Sequence, residues 1–333
     1  RPQPPMTTPA PAPLLSAAAP LREGAQSAMQ AWSDEAAQLL EITWVLFIGG
    51  ALIFVFVMAL AALAVAGPER LRAGLSRHGW VVGGGIVFPA VVLTALLVYS
   101  LAGAGPLMRR ADPGAAVRVE VTGQLWWWRV RYLDAQGQAV AETANEIHVP
   151  AGGPVEITLL SDNVIHSSWV PNLAGKLDMI PGHVNRLRLH AREAGVFRGQ
   201  CAEYCGAQHA KMAFHVVAQA PDDFRRWLQA QAAPASLGQA PQLQRGQSLF
   251  LANRCGVCHA VRGTPADGTL GPDLTHLGSR SWIAAATLPN NEGTLAGWIA
   301  DPQHTKDGAL MPAYRRFSGE DLRALSAWLL SLK

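Results

Sequence analysis

The chain has 333 residues, of which 50% are hydrophobic and only 15% are charged, against roughly 25% charged residues in typical soluble domains. This length predicts two or three domains, and the composition excludes a disordered chain and argues against a wholly soluble one. The formal net charge of +3 is too small to indicate a nucleic-acid partner. Four cysteines are too few for a disulfide-stapled scaffold, and they occur as two close pairs.

Two long uncharged segments follow residues 1–38, whose Pro-, Ala- and Gln-rich composition predicts a mobile tail or a processed leader. The first segment has 27 residues without Asp, Glu, Lys or Arg, between Glu41 and Glu69, and the second covers residues 79–108. At about 1.5 Å per helical residue, each can cross a hydrocarbon core of roughly 30 Å. The predicted transmembrane hairpin covers residues 39–108, with spans at about 42–66 and 80–103.

The charges beside the two spans indicate their orientation. The loop between the spans contains Arg70, Arg72 and Arg77, whereas the acidic residues Asp34 and Glu35 precede the first span. Loops rich in Arg and Lys stay in the cytoplasm. These arginines therefore predict a cytoplasmic position for the loop and an outer position for both termini, whereas Arg109 and Arg110 after the second span argue against that orientation.

The pattern changes after the spans. Residues 117–218 contain short segments that alternate with a period of two, separated by turn residues, which predicts an all-β sandwich or barrel. Residues 219–241 are rich in Ala, Gln and Pro and are predicted to form a flexible linker. Residues 242–333 are predicted to be mainly helical. The alternating segments are residues 117–121, 129–132, 155–160 and 186–190.

The second cysteine pair belongs to the sequence Cys255-Gly-Val-Cys258-His259, the Cys-x-x-Cys-His pattern of covalent c-type haem attachment. The two thiols bind the haem, and the adjacent histidine supplies one iron ligand. Met311 is the only methionine after His259, and a thioether ligand raises the haem potential and suits electron transfer. The competing sixth ligands, both expected to be surface histidines, are His276 and His304.

Residues 242–333 resemble a class I cytochrome c. The resemblance rests on a helix around residues 246–250, the Cys-x-x-Cys-His motif, a Gly271-Pro272 loop, Met311 and a C-terminal helix. It implies an all-α domain with one covalent haem c. Haem of this type is attached outside the cytoplasm, which decides between the conflicting flanking charges and predicts both termini on the outer side.

The first cysteine pair lies in a cluster of soft metal ligands. Two thiols, an imidazole and a thioether fall within twelve residues, and a further histidine ends a predicted strand upstream. Thiolate and thioether ligands with imidazole favour copper. Structural zinc and a simple disulfide stay open as alternatives, and the methionine discriminates weakly against zinc. The members of the cluster are His166, Cys201, Cys205, His209 and Met212.

This cluster has the pattern Cys-x-Glu-x-Cys-x-x-x-His-x-x-Met, which resembles the binuclear copper (CuA) signature of cytochrome c oxidase subunit II. The resemblance covers residues 39–218 and implies a two-helix hairpin followed by a cupredoxin domain. With the haem domain, the chain resembles a caa-type subunit II. Cys201 and Cys205 would bridge two copper ions, and the carboxylate of Glu203 would face a Mg²⁺ shared with subunit I. The remaining copper ligands that the resemblance implies are His166, the Glu203 carbonyl, His209 and Met212.

The resemblance implies the subunit through which electrons enter a haem–copper terminal oxidase of a bacterial inner membrane, with both cofactor domains on the periplasmic side. Haem c would pass electrons to CuA and CuA to haem in subunit I, where oxygen is reduced and protons are pumped. The implied partners are subunits I and III, with cytochrome c or a quinol–cytochrome c reductase-type complex as donor. The alternatives are the CuA subunit of a nitric oxide reductase, and a membrane-tethered copper carrier or redox sensor.

The aromatic run Trp126-Trp127-Trp128 is the third feature that resembles the family. There the run lies between the donor's docking face and the copper, and Trp126 aligns with the residue through which electrons enter. In a strand, Trp126 and Trp128 would share one face, and we expect Trp127 and Trp128 to serve packing. The alternative is that all three belong to a barrel core and a membrane-interface belt.

Overall fold

The structure is a computed structural model, and the residues that it describes are Leu21, 24–103 and 117–333. Most of the predicted tail before Gly24 and the predicted hairpin end at 104–108 therefore lie outside the described residues. The helices are α1 (Asp34–Ala66), α2 (Glu69–Leu75), α3 (His78–Val82), α4 (Phe88–Gly103), α5 (Pro221–Ala232), α6 (Pro241–Ala252), α7 (Glu292–Ala300), α8 (Pro302–Thr305) and α9 (Gly319–Ser331). The strands are β1 (Val117–Gln124), β2 (Trp127–Leu133), β3 (Ala139–Ala144), β4 (Glu146–Pro150), β5 (Val155–Ser161), β6 (His166–Trp169), β7 (Leu177–Met179), β8 (Asn185–Leu189), β9 (Gly195–Cys201), β10 (Ala213–Gln219), β11 (Trp282–Ile283) and β12 (Leu288–Pro289).

Two long apolar helices form the N-terminal part of the structure. Helix α1 has 33 residues, and α3 and α4 continue into each other through a π-helical segment, Gly83–Val87. Pro89 follows this segment, and because proline has no backbone N–H, the helix lacks one hydrogen-bond donor there. The hydroxyl of Tyr99 in α4 donates to the Glu41 carboxylate of α1 at 3.2 Å, so the N-terminal part of α1 lies beside the C-terminal part of α4. Both helices are long and apolar enough to cross a membrane, as the sequence predicts.

The residues just before α1 pack against the β domain, so the predicted tail is wrong for 24–33. The Ser33 hydroxyl accepts from Ala36 N–H at 2.8 Å, which caps α1, and donates to the Leu173 carbonyl at 2.6 Å. The Trp32 ring lies 6.4 Å from that of Phe197. The Asn172 side chain donates to the carbonyl oxygens of Gly24, Ser27 and Gln30. These contacts require the folded sandwich, and composition alone does not show them.

Residues 117–219 form the predicted β-sandwich, in a cupredoxin-like arrangement. One sheet has the order β3-β2-β1-β5-β8 and the other has the order β4-β10-β9-β6-β7. Pairing is antiparallel except for β1 with β5 and β4 with β10. Alternate residues face inward, and the rings of Trp128, Phe197 and Phe214 are fully buried between the sheets. Residues 201–212, which contain most of the predicted metal ligands and are named the metal-ligand loop, join β9 to β10 at one end of this sandwich.

The segment 219–241, predicted to be a flexible linker, contains helix α5. Pro221 occupies the first turn together with Asp222 and Asp223, which are favourable residues at a helix N-terminus. Phe224 is buried, and the Trp227 ring stacks on that of His148 with centroids 4.0 Å apart. The two aromatic residues are three positions apart and give this otherwise polar helix one apolar face, which fixes it on the sandwich.

The C-terminal domain is mainly helical, as predicted. Helices α6 and α9 cross so closely that a Cβ at Gly246 would overlap the carbonyl oxygen of Ala324. The rings of Phe250 and Trp328 meet beside this crossing, with centroids 5.0 Å apart. Between α6 and α7 the chain runs through loops and short 3₁₀ turns, which carry the haem-attachment motif.

The C-terminal domain lies directly against the sandwich. The carboxylate of the buried Glu146 in β4 accepts from the backbone N–H groups of Ser281 at 2.8 Å and Trp282 at 3.2 Å. The Trp282 ring lies 5.3 Å from that of His215 in β10. These contacts join the start of β11 to β4 and β10, so the two domains are in direct contact.

Candidate metal centre and haem site

Strand pairing brings the upstream histidine to the cysteine loop. His166 begins β6, and β6 pairs with β9 so that Ser168 lies opposite Cys201. The loop then turns back towards β10, and the Cys201 N–H donates to the Met212 carbonyl at 2.9 Å. Gly206 has a φ of +108°, a left-handed conformation that favours glycine. The local fold thus closes residues 201–212 into a compact loop beside His166.

The donor atoms of this loop converge. The Sγ atoms of Cys201 and Cys205 are 3.8 Å apart, and the reactive atoms of His166, Cys201 and Cys205 all lie within 4.8 Å of one another. The Glu203 carbonyl oxygen is 3.2 Å from Cys201 Sγ. The other separations are 3.8 Å from His166 Nδ1 to Cys201 Sγ, 3.7 Å from His209 Nδ1 to Cys205 Sγ, and 3.8 Å from Met212 Sδ to Cys205 Sγ.

The chemistry of the donor set fits copper. A disulfide would bring the sulfur atoms to about 2.05 Å, whereas both cysteines are free thiols. The contact with Cys205 lowers the pKa of the Cys201 thiol, and the same contact together with burial raises the pKa of Cys205. One thiolate is therefore available near neutral pH, and thiolate is the form that binds a metal.

The sandwich holds the His166 ring in one orientation. The Oδ1 atom of Asn163 lies 3.2 Å from His166 Nε2, so the other ring nitrogen, Nδ1, faces the thiols. On its other side the ring lies against Gly123, where a Cβ would lie 2.6 Å from His166 Cδ2. Asn163 was not predicted from the sequence, although an amide side chain three residues before His166 indicates a hydrogen-bond partner for its ring.

Trp126 contacts the metal-ligand loop directly. Its indole Nε1 donates to the Cys205 carbonyl oxygen at 2.8 Å. It lies in the two-residue turn between β1 and β2, because Gln124 and Trp127 form the last pair of that hairpin. The expectation that Trp126 and Trp128 share one face of a strand is therefore wrong. Trp128 is fully buried in the core, as predicted.

The haem-attachment motif occupies a 3₁₀ turn, Cys255–Val257, followed by Cys258 and His259. His259 Nδ1 lies 2.8 Å from the Pro272 carbonyl oxygen, which fixes the tautomer and leaves Nε2 free to bind iron. Burial lowers the pKa of His259, so the ring is the neutral form that binds a metal. A Cβ at Gly271 would lie 2.5 Å from His259 Cε1, so this loop approaches the ring more closely than a side chain would allow.

The candidates for the sixth iron ligand lie in different surroundings. Met311 is half-buried and packs against the core of the C-terminal domain. His276 is only 2% exposed, and its Nε2 lies 2.9 Å from the Ala233 carbonyl oxygen, so its assignment as a surface histidine is wrong. His304 is exposed, as expected. The hydrogen bond of His276 directs its ring towards the end of α5, which favours Met311.

Glu203 presents two groups in different directions. Its carbonyl faces Cys201, and its half-exposed carboxylate lies 3.2 Å from Lys176 Nζ, which also lies 3.0 Å from the Asp178 carboxylate. The hydrogen bond from Lys176 lowers the pKa of Asp178. The Asp178 and Glu203 carboxylates therefore share one cation, the Lys176 ammonium group.

Lys306 is a second residue near the metal-ligand loop that was not predicted from the sequence. Its side chain is 3% exposed, although it belongs to the C-terminal domain, and its Nζ donates to the Trp126 carbonyl at 2.9 Å. A lysine between polar residues looks like a surface residue in sequence. No periodicity or motif indicates that it enters a domain interface.

Comparisons with known proteins agree with this geometry. Residues 132–219 match the family "Cytochrome C oxidase subunit II, periplasmic domain", and residues 243–333 match the family "Cytochrome c". Cytochrome c oxidase subunit 2 of Alkalihalophilus pseudofirmus is 38% identical over 252 residues, covering 74% of this chain and 71% of the relative. The protein of that name from Bacillus subtilis is 31% identical over 261 residues, covering 74% of this chain and 70% of the relative.

A solved structure is also similar. The periplasmic domain of subunit II of cytochrome oxidase from Bradyrhizobium japonicum is 28% identical, with a TM-score of 0.33, and covers 36% of this chain and 95% of that chain. The two matched domains imply copper and haem c as cofactors, and the apolar helices indicate a membrane protein. The chain belongs to the cytochrome c oxidase subunit II family, as a subunit fused to a cytochrome c domain through which electrons enter a haem–copper oxidase.

Proposed function

We propose that the chain relays single electrons from a haem c in residues 242–333 to a binuclear copper centre in residues 117–218, and then to haem in subunit I. The observation that carries this proposal is the convergence of soft donor atoms around Cys201 and Cys205. Reduction of oxygen to water and proton pumping would take place in subunit I, because the motifs of this chain are those of electron carriers.

The donor set favours two copper ions over a single ion. Each thiol has its own imidazole, since His166 lies beside Cys201 and His209 beside Cys205. Met212 joins the Cys205 end, and the Glu203 carbonyl joins the Cys201 end. Two copper ions held by Cys201 and Cys205 would share one electron, so little rearrangement would accompany each transfer.

This arrangement, with one imidazole beside each thiol, argues against a structural zinc site and against a copper-carrier site. A structural zinc ion takes four ligands, whereas six donors meet here and one of them is a thioether. A copper carrier would hold one exchangeable ion and would need no covalent haem in the same chain. The relatives are cytochrome c oxidase subunits, which does not favour a nitric oxide reductase.

The haem would be held by thioether bonds to Cys255 and Cys258, with iron ligands from His259 and Met311. The Pro272 carbonyl orients His259, and the close approach of Gly271 prevents the ring from turning. A Met ligand raises the haem potential relative to two histidines, which suits a carrier between an outer donor and copper.

The Glu203 carboxylate is proposed to bind a Mg²⁺ at the interface with subunit I. Its support is the exposed acidic pair of Glu203 and Asp178, which Lys176 bridges here. In the assembled oxidase, Glu203→Gln should lower bound magnesium without changing the copper content. Equal magnesium in the variant and the native oxidase would contradict this role.

The cofactor domains are proposed to lie on the periplasmic side of a bacterial inner membrane, with both termini outside. The support is the arginine-rich loop between the spans, since Arg70 and Arg72 lie in α2. The partners would be subunits I and III, with cytochrome c or a quinol–cytochrome c reductase-type complex as donor. Ser76→Cys introduces a thiol into the loop between the spans. If this thiol reacts with a labelling reagent only after spheroplasts are opened, the result supports this orientation.

Metal and haem analysis of the purified full-length chain tests the main proposal. Two copper ions and one covalent haem per chain are expected. Cys205→Ser should lose copper and keep its haem, because the two sites use separate loops. Zinc, or a single copper after full loading, would contradict the binuclear centre.

A further inference from the structure

One buried lysine connects the haem domain to the copper domain. Lys306 follows the short helix α8, five positions before Met311. Its Nζ donates to the carbonyl oxygens of Trp126 at 2.9 Å and Lys211 at 2.8 Å. Both acceptors are main-chain atoms of the copper domain, so rotation of a partner side chain cannot break these contacts.

The surroundings of this amine are unusual for a lysine. The residue is 3% exposed, and no carboxylate of the described residues forms an ion pair with it. Burial lowers the pKa of Lys306 to about 7. A buried amine without a carboxylate is destabilising unless hydrogen bonds compensate for its lost hydration. An amine in either protonation state can donate to two carbonyls, so the contact does not depend on its charge.

The neighbours of Lys306 extend the same contact. The Nζ atom of Lys211 donates to the Thr305 carbonyl at 2.6 Å, and the Gln208 side chain donates to the Asp307 carbonyl. Gly308 faces the Trp126 ring, because a Cβ built at this glycine would come within 3.9 Å of the indole. Residues 305–308, named the docking loop, thus lie beside Trp126 and are hydrogen-bonded to Trp126, Gln208 and Lys211 of the copper domain.

We propose that Lys306 is a positioning residue that holds the haem domain on the copper domain, with the docking loop beside Trp126. Copper would then receive electrons from the haem of its own chain and not directly from a soluble donor. This inference rests on the proposed function. In the transfer that it serves, one electron passes from reduced haem iron to the oxidised copper pair, and no bond or proton is exchanged.

The test uses the full-length chain in detergent, loaded with copper and haem, with Lys306→Met as the variant. Methionine keeps a long side chain but cannot donate to the two carbonyls. The matched control is Lys333→Met, the same change at an exposed lysine of the same domain. The first readout is hydrogen–deuterium exchange of the backbone in the docking loop and in the contact of Ser281 with Glu146.

Loss of two buried hydrogen bonds should increase this exchange at least about ten-fold in Lys306→Met and leave it unchanged in Lys333→Met. Rapid mixing with a reduced soluble cytochrome c supplies the second readout. Native copper should be reduced only after the haem, whereas the variant should gain a copper phase whose rate rises with donor concentration. A general loss of stability would not create that direct phase. Unchanged exchange and no direct phase would overturn the proposal.

A measurement on the native chain keeps the proposal testable if the variant does not fold. With an amine-acylating reagent followed by mass spectrometry, Lys333 should react and Lys306 should stay unmodified. Equal reaction of both lysines would overturn the proposal. Metal and haem content is measured first, because a chain without two coppers contradicts the proposed function. Failure of a fully loaded chain in these tests contradicts the role of Lys306 alone.

Discussion

The indole of Trp126 donates a hydrogen bond of 2.8 Å to the carbonyl oxygen of Cys205. This places an aromatic ring one hydrogen bond away from a proposed bridging ligand of the copper centre. The main chain of the same residue contacts the haem domain, because its carbonyl oxygen accepts from Lys306 Nζ at 2.9 Å. Trp126 therefore contacts both the metal-ligand loop and the haem domain.

Replacing Trp126 with phenylalanine tests this connection. Trp126→Phe keeps an aromatic ring but removes the N–H that binds Cys205, so copper reduction by the haem should slow several-fold at unchanged copper content. Trp127→Phe is the matched control, because Trp127 is outside the copper loop and stacks with Arg129, 5.2 Å from its ring centroid. Rapid-mixing absorbance of haem and copper gives both rates. The same slowing in both variants would argue against a specific role for Trp126.

Adding one methyl group at Gly123 should disturb the copper centre. The new Cβ would lie 2.6 Å from His166 Cδ2, so the ring must shift, at a destabilisation of about 1–3 kcal/mol. We expect a lower copper-to-haem ratio and an altered copper absorption spectrum in Gly123→Ala. Gly153→Ala is the control, because a Cβ there meets no atom within 4 Å. A native copper spectrum in Gly123→Ala would mean that His166 is not a ligand.

Met311→Ala should leave the haem covalently attached and remove the Met–iron absorption signature. The haem potential should also fall, because water or a nitrogen ligand stabilises oxidised iron more than a thioether does. His276→Ala serves as the comparison and should keep the signature, since His276 is bonded to the Ala233 carbonyl. If the signature survives in Met311→Ala and disappears in His276→Ala, the assignment of the sixth ligand is wrong.

Two glycines in the haem domain should respond in opposite directions. Gly271→Ala places a Cβ against His259 and should lower the free energy of unfolding by about 1–3 kcal/mol. Gly297 lies inside α7 with open space around it, so Gly297→Ala should raise that free energy by roughly 0.5–1 kcal/mol. Chemical denaturation of the haem-loaded chain measures both. A stabilised Gly271→Ala variant would contradict the packing of the loop on His259.

The elements that the sequence predicts best are those with a strong period or a spaced motif. The apolar runs predict the two long helices. The period-two segments predict the ends of β2, β5 and β8 within one or two residues, and they predict the first five residues of the longer strand β1. The loop from Cys201 to Met212 could be predicted because its ligands are close in sequence. His166 lies far from them in sequence, and only the pairing of β6 with β9 brings it near.

Features that depend on contacts between domains could not be predicted in this way. Residues 24–33 and helix α5 have the composition of a tail and a linker, yet Asn172 and His148 of the sandwich bind them. Lys306 has no local signal, because its partners are carbonyl oxygens, which every residue has. The sequence predicts a surface position for His276 for the same reason, because its partner, the carbonyl of Ala233, has no sequence signal.

The central claim is that the haem of each chain reduces the copper of the same chain. The direct measurement is rapid reduction of the haem, followed by copper absorbance, across a series of protein dilutions and salt concentrations. Because the two domains are in contact, the rate should not change with dilution and should change little with salt, whereas an external donor steered by charge would slow as salt rises. A rate that falls in proportion to dilution would show that the haem serves other molecules and would contradict the account.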